Sequence, residues 1–262
     1  MTETTIRLLA FGGIFAVMAL WEFAAPRRLR GRGRAQRWLI NWGLSLTNTL
    51  VVAAMKALLG AAAVIAALDA ADAGIGLFNA LDWPTWAEVL IAFLVLDFAI
   101  WLQHLASHKI PILWRLHRVH HADRDVDVTT AIRFHPIEIA LSMLFKIALV
   151  YALGASAVSV ILFEVVLNGS AMFNHANVRL GGVDRWLRLG IVTPDMHRVH
   201  HSVDRGEHDA NYGFNLSIWD RLFGTYIAQP RGGHDGMTTG LPSLQDERPA
   251  RLIWSLAFPF RR

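Results

Sequence analysis

Apolar residues fall into long runs at 6–25, 38–68, 88–105, 137–153 and 155–167, separated by polar or glycine-containing stretches. A helix crosses the hydrocarbon core of a bilayer with about 20 predominantly apolar residues. The first three runs therefore predict spanning helices. The last two are shorter and meet at Gly154, which predicts a tight helical hairpin. Asn41, Asn48 and Lys56 interrupt the second run, and the third carries Asp97. Beyond about residue 178 the chain turns mostly polar, with isolated apolar segments. The pattern predicts an all-α integral membrane protein of about four transmembrane helices, hairpin included, with a helical cap outside the bilayer. It divides into N-terminal membrane helices (1–85), a middle region holding the candidate chemistry (86–228) and a C-terminal tail (229–262).

Composition agrees. Hydrophobic residues make up 54% of the chain and charged residues 18%, against about 25% charged in soluble domains. Ten Trp suit a protein with two membrane interfaces. The absence of Cys excludes disulfides, thiolate metal sites and iron–sulfur clusters held by this chain. The net charge of +4 does not indicate nucleic acid, because the Arg residues border apolar runs. The first run lacks a small-residue exit, so no cleaved signal peptide is expected. Abundant Ala, with Arg as the dominant base, points to a GC-rich bacterial genome and hence a bacterial inner membrane.

Charge sets the orientation. The 26–37 stretch holds six Arg and no acid, which assigns it to the cytoplasm. Asp69, Asp72 and Asp82 then fall on the far side. The third run returns His104 and His108 to the cytoplasmic end, and the hairpin brings His175 back to the same face.

Twelve His are present, five of them between 104 and 121 and three between 197 and 201. His104 and His108 are spaced i, i+4 and share a helix face. The word HRVHH occurs twice, as His117, His120, His121 and as His197, His200, His201. On a helix each triplet points to one side, with Arg and Val on the other. Imidazole suits Zn, Cu, Fe and Ni. Eight imidazoles exceed what one ion takes, so two ions are implied, with the two words as two walls of one site. Neutral ligands leave the metal charge for anionic oxygen species. The zinc-protease pattern HExxH is missing, which disfavours a hydrolase.

The set His104xxxHis108, His117xxHis120His121 and His197xxHis200His201, with RFHPIE (133–138), NHAN (174–177) and NYGFNLSIWDRLFGTY (211–226), resembles the fatty acid hydroxylase/sterol desaturase superfamily over roughly 90–228. The resemblance implies a non-haem di-iron oxygenase that hydroxylates or desaturates a membrane lipid. The lipid would be a sterol, fatty acyl chain or ether lipid. O2 would be co-substrate, and an external donor such as a ferredoxin or reductase system would supply the electrons. It also implies that His175 is a ligand; some members carry a further His where this chain has Ala171. Zinc can replace iron in purified protein, since first-row affinities favour it.

Other polar residues are read individually. Asp97 lies two turns before His104 and either orients that face as an acceptor or makes a buried helix-packing hydrogen bond. His135, before Pro136, is expected at a helix start, structural or behind the ligands. Asn174 and Asn177 either hold a metal-bound water or cap the hairpin. His208 is read as a loop or substrate-side residue, Asp195 as an N-cap, Asp220 as an ion-pair partner of a nearby Arg, and His234 as solvated. Two rival functions are a haem electron carrier, which needs single facing histidines, and a metal transport or storage protein, whose site belongs near the midplane.

Overall fold

The computed structural model describes residues 3–29, 33–60, 62–81 and 83–261. Arg30 and Arg32 of the basic stretch, and Asp82, lie outside the described residues. Among those described the chain is helical, with β pairing limited to isolated bridges such as Pro26–Val178 and Ile191–Leu216. The longer helices are α1 (Glu3–Ala24), α2 (Arg34–Leu59), α3 (Ala63–Asp72), α4 (Thr85–Lys109), α5 (Pro111–His121), α6 (Pro136–Leu153) and α7 (Ala157–His175). Short helical turns follow: α8 (Asp184–Leu187), α9 (Pro194–His200), α10 (Arg205–His208), α11 (Ile218–Leu222), α12 (Gly233–Gly236) and α13 (Leu252–Ala257).

Five stretches are long and apolar enough to cross a membrane: Thr4–Ala24, Arg34–Asp72, Thr85–Lys109, Pro136–Leu153 and Ala157–His175. Leu8, Leu20, Leu46, Leu50 and Val158 point outward from them, as side chains facing lipid do. The 38–68 run is two helices. Gly60, at φ 61°, closes α2 in the left-handed conformation that a Cβ disfavours.

Gly154 ends α6 in the same way, at φ 65°. Ser156 then caps α7, its side chain accepting from the Ser159 amide, so the reversal is tight. The α3–α4 connection docks on this tip, with the Phe78 amide donating to the Leu153 carbonyl at 2.8 Å. A Cβ on Gly76 would lie 2.1 Å from the Gly154 nitrogen, so neither glycine tolerates a side chain.

At the opposite end the chain turns sharply from α4 into α5. Ile110 is extended and Pro111 occupies the first helical position, where its missing N–H costs nothing. The C-terminal ends of α4 and α7 thus meet α5 and α9. A buried polar network pins the following segment, 122–135. Arg37 of α2 donates to both carboxylate oxygens of Asp123 at 2.9 and 2.8 Å, and to Asp127 at 2.7 Å. Asn41 reaches Asp123 and Thr129. Arg133 donates to Asn41, to the Val119 carbonyl and to the Pro249 carbonyl of the tail. Burial alone would raise the Asp123 pKa, but the charges of Arg37 and Arg133 outweigh it and hold the carboxyl well below its usual range. The 26–37 arginines are therefore not only a charged border: Arg37 is 6% exposed and belongs to the interior.

Candidate metal centre

Each histidine word sits on a short helix begun by proline. In α5 and α9 the i, i+3, i+4 spacing turns three rings to one side. Val119 and Val199, between them, are fully buried in the opposite direction. Thr193 caps α9.

The nine histidines picked out as ligands come together in two groups. His104, His108, His117, His121 and His200 each offer a ring nitrogen, all within 4.8 Å of one another. His120, His175, His197 and His201 do the same. The two words are therefore interleaved. The first gives two rings to the five-histidine group and one to the other, and the second gives one and two. All nine side chains are buried.

Backbone contacts fix which ring nitrogen is bare. His104 Nδ1 pairs with the Tyr212 carbonyl at 2.7 Å, His120 Nδ1 with that of Arg133 at 3.2 Å, His175 Nδ1 with that of Ala171 at 2.7 Å, and His200 Nδ1 with that of Ala210 at 2.7 Å. His117 Nδ1 meets the Glu138 carboxylate at 2.6 Å. An acceptor at Nδ1 demands the proton there, so Nε2 keeps its lone pair. Yet His104 and His117 face each other Nε2 to Nε2 at 3.1 Å, and so do His120 and His175. Two lone pairs at that distance repel. Further ring nitrogens of His108, His121, His200 and His201 are buried without hydrogen-bond partners among the described residues, an expensive arrangement by itself. A cation in each group resolves both problems, and the donor set fits a first-row metal. Burial, followed by the neighbouring imidazoles, lowers the pKa of His120, His121, His197, His200 and His201 well below 6.5. These rings are uncharged at neutral pH, as ligands must be.

Glu138 was not singled out from sequence, although RFHPIE contains it. It stands in the first turn of α6, three residues after the helix-starting His135. An acid opening an otherwise apolar run is the signal that marks it. Its bond to His117 is the carboxylate–histidine arrangement that sets a ligand's tautomer and basicity. Phe134 stacks on His120 at 4.5 Å, and Phe214 lies 4.9 Å from His104 and 5.8 Å from His197.

The remaining polar residues sort differently. Asp97 accepts from Trp219 Nε1 at 2.8 Å and from the Leu216 amide at 3.3 Å, which is the helix-packing alternative. His135 does start a helix: it caps α6 and bonds the Leu256 carbonyl, outside both histidine groups. Asn174 donates to the Phe214 carbonyl. Asn177 bonds the Arg28 backbone in both directions. Three expectations fail. Asp195 is not an N-cap, because Thr193 takes that place; Asp195 pairs with Arg198 and Arg27. Asp220 pairs with no Arg among the described residues; it accepts from Trp101, Thr225 and the Tyr212 and Gly213 amides, fixing the loop whose carbonyl holds His104. His234 is not solvated but 5% exposed, 3.6 Å from Asp195, since α12 folds back on α9.

Residues 89–225 match the family model described as fatty acid hydroxylase. Among curated proteins the chain is similar to ornithine lipid hydroxylase OlsE of Rhizobium tropici, 36% identical over 57% of this chain and 45% of that one. It is 34% identical to alkylglycerol monooxygenase of Homo sapiens, over 58% of this chain and 33% of that one. Cholesterol 25-hydroxylase of Rattus norvegicus is 26% identical over 55% of this chain and 48% of that protein. The matched stretch thus spans less than half the length of each of these relatives. No solved structure matches.

Proposed function

The chain belongs to the fatty acid hydroxylase family, and on that premise we propose that it hydroxylates an alkyl segment of a membrane lipid with O2, using two iron ions. The observation that carries this reading is the pair of facing bare nitrogens in each group, His104/His117 and His120/His175. One ion would be held by His104, His108, His117, His121 and His200, the other by His120, His175, His197 and His201. Iron there supplies reductive activation of O2. Overall, lipid, O2, two electrons and two protons give the alcohol and water. The electrons come from a separate donor such as a ferredoxin or reductase.

The protein's own residues prepare this chemistry. Carbonyl and carboxylate partners hold the Nδ1 protons of His104, His117, His120, His175 and His200, so these five rings need not reorient when metal enters. Phe134 and Phe214 exclude water from the histidines. Beneath Phe214 lies an apolar cluster of Leu96, Ile100, Leu149, Phe163 and Leu167, drawn from α4, α6 and α7. On this reading the alkyl chain of the substrate would lie against this cluster, whose side chains are apolar and pack on Phe214. Relatives named hydroxylase or monooxygenase favour hydroxylation over desaturation.

Iron-loaded protein, given a reduced electron donor, membrane lipid and isotopically labelled O2, should yield a lipid bearing one labelled hydroxyl. Iron-loaded protein that consumes reductant without labelling any lipid would count against the reading. The site is proposed to face the cytoplasm of a bacterial inner membrane. The chain has no Cys, so Arg205→Cys offers a single label beside the site. An impermeant thiol reagent should reach it only after the membrane is opened.

A further inference from the structure

Beside the five-histidine group lies a third set of donors. His108, His208 and Asp209 each offer a ligand atom within 4.8 Å of the others. His108 is common to both sets. Its Nδ1 is 3.6 Å from Asp209 Oδ1, and neither of its ring nitrogens has a hydrogen-bond partner among the described residues. The His208 ring lies 4.8 Å from that of His108 and 4.5 Å from that of His121, directly against the inner group. On its outer side the set reaches solvent. Asp209 is 19% exposed, and its other oxygen is held by Lys109 at 2.9 Å and approached by Arg205 at 3.6 Å, side chains 50% and 82% exposed. Those cations fix the carboxylate with Oδ1 turned inward to His108.

We propose that His208, Asp209 and His108 form an entry station through which a divalent transition metal passes from solvent to the five-histidine group. The inference rests on the reading that the inner groups hold metal. Donor chemistry gives the station its transient character. A neutral imidazole has one bare nitrogen and carries its proton on the other. His108 therefore serves the outer or the inner position, one at a time, and the set cannot be a third resident site while the inner group uses His108. A mixed His/His/carboxylate set binds such ions more weakly than five converging imidazoles, so transfer runs inward. The Trp114 ring packs beside the station, 4.8 Å from His208 and 5.1 Å from His108, so the donors of the set stand next to an apolar wall that offers an ion no ligand.

The test uses the full chain in lipid nanodiscs, stripped of metal by chelator, with Co(II) as the probe and its visible absorption as the readout. Wild-type protein, His208→Gln and Asp209→Asn are mixed with Co(II), and uptake rate and final stoichiometry are measured separately. Circular dichroism of the apo forms verifies that each variant is folded. Both variants should reach the wild-type stoichiometry but fill the five-histidine group several-fold more slowly. Unchanged uptake rates would refute the station. A final content one ion lower in His208→Gln would also refute it, by making His208 a resident ligand. If wild-type protein takes up no Co(II), the metal-centre reading itself fails.

Discussion

His120 and His175 present bare Nε2 atoms to each other across 3.1 Å, while the Nδ1 proton of each is committed to a backbone carbonyl. His120 belongs to the first histidine word and His175 to the end of α7. Their meeting requires the end of a membrane helix and the cap to fold around one point.

Because the words are interleaved, a single substitution in either should affect one group. His120→Ala removes a donor from the four-histidine group, and His200→Ala removes one from the five-histidine group. Each variant should lose the ion of its own group, keep the other, and lose activity. Elemental analysis of protein purified with iron decides this. Two ions retained in His120→Ala would break the proposed assignment.

Glu138→Gln keeps the shape of the side chain but removes the charge that holds the His117 Nδ1 proton. Metal affinity of the five-histidine group should fall by about 10–100-fold. Titration against a competing chelator measures it, and Glu138→Asp tests whether reach as well as charge matters.

Arg37→Ala removes the guanidinium that pairs with both buried carboxylates, Asp123 and Asp127. Breaking such a pair costs about 3–5 kcal/mol. Thermal unfolding in detergent should show a large loss, only weakly dependent on salt because both partners are shielded. A variant as stable as wild type would mean that Arg37 does not organise the 122–135 segment.

Burial lowers the His234 pKa to about 4 from 6.5, against the opposing pull of Asp195 and alongside Arg198, Arg27 and Arg188. Between those two values the unfolded chain binds a proton that the folded chain refuses. Stability from this residue is therefore complete above about pH 6.5 and declines as pH falls toward 4. His234→Gln should flatten that part of the acid stability profile and leave bound metal unchanged. Parallel profiles for the two proteins would show that His234 does not titrate this way.

What could be read from sequence depended on distance along the chain. The shared faces of His104 with His108 and of each HRVHH triplet are local consequences of helical period, and all nine rings do converge. The reversal at Gly154 was legible for the same reason. The five-and-four partition was not, because it depends on how α5 and α9 oppose each other. Arg37 looks like any other basic residue near an apolar run; only Asp123, far along the chain, reveals its role. Asp195 departs from expectation locally, since Thr193 two residues earlier takes the cap, whereas Asp220 and His234 depart because Trp101 and α9, distant in sequence, pack on them. Local sequence shows which polar groups are present, but burial by a distant segment decides which partners they must find.

The tie between Arg37 and Asp123 also bears on how the protein can be recombined. The stretch by which kinship is recognised starts at residue 89, yet the loop behind the first histidine word is anchored by α2 and, through Arg133, by the tail. A chimaera that transplanted only the recognisable stretch would inherit all nine clustered histidines and lose the frame that aims them. The heritable signature is smaller than the working part, and a successful graft must carry both flanks with it.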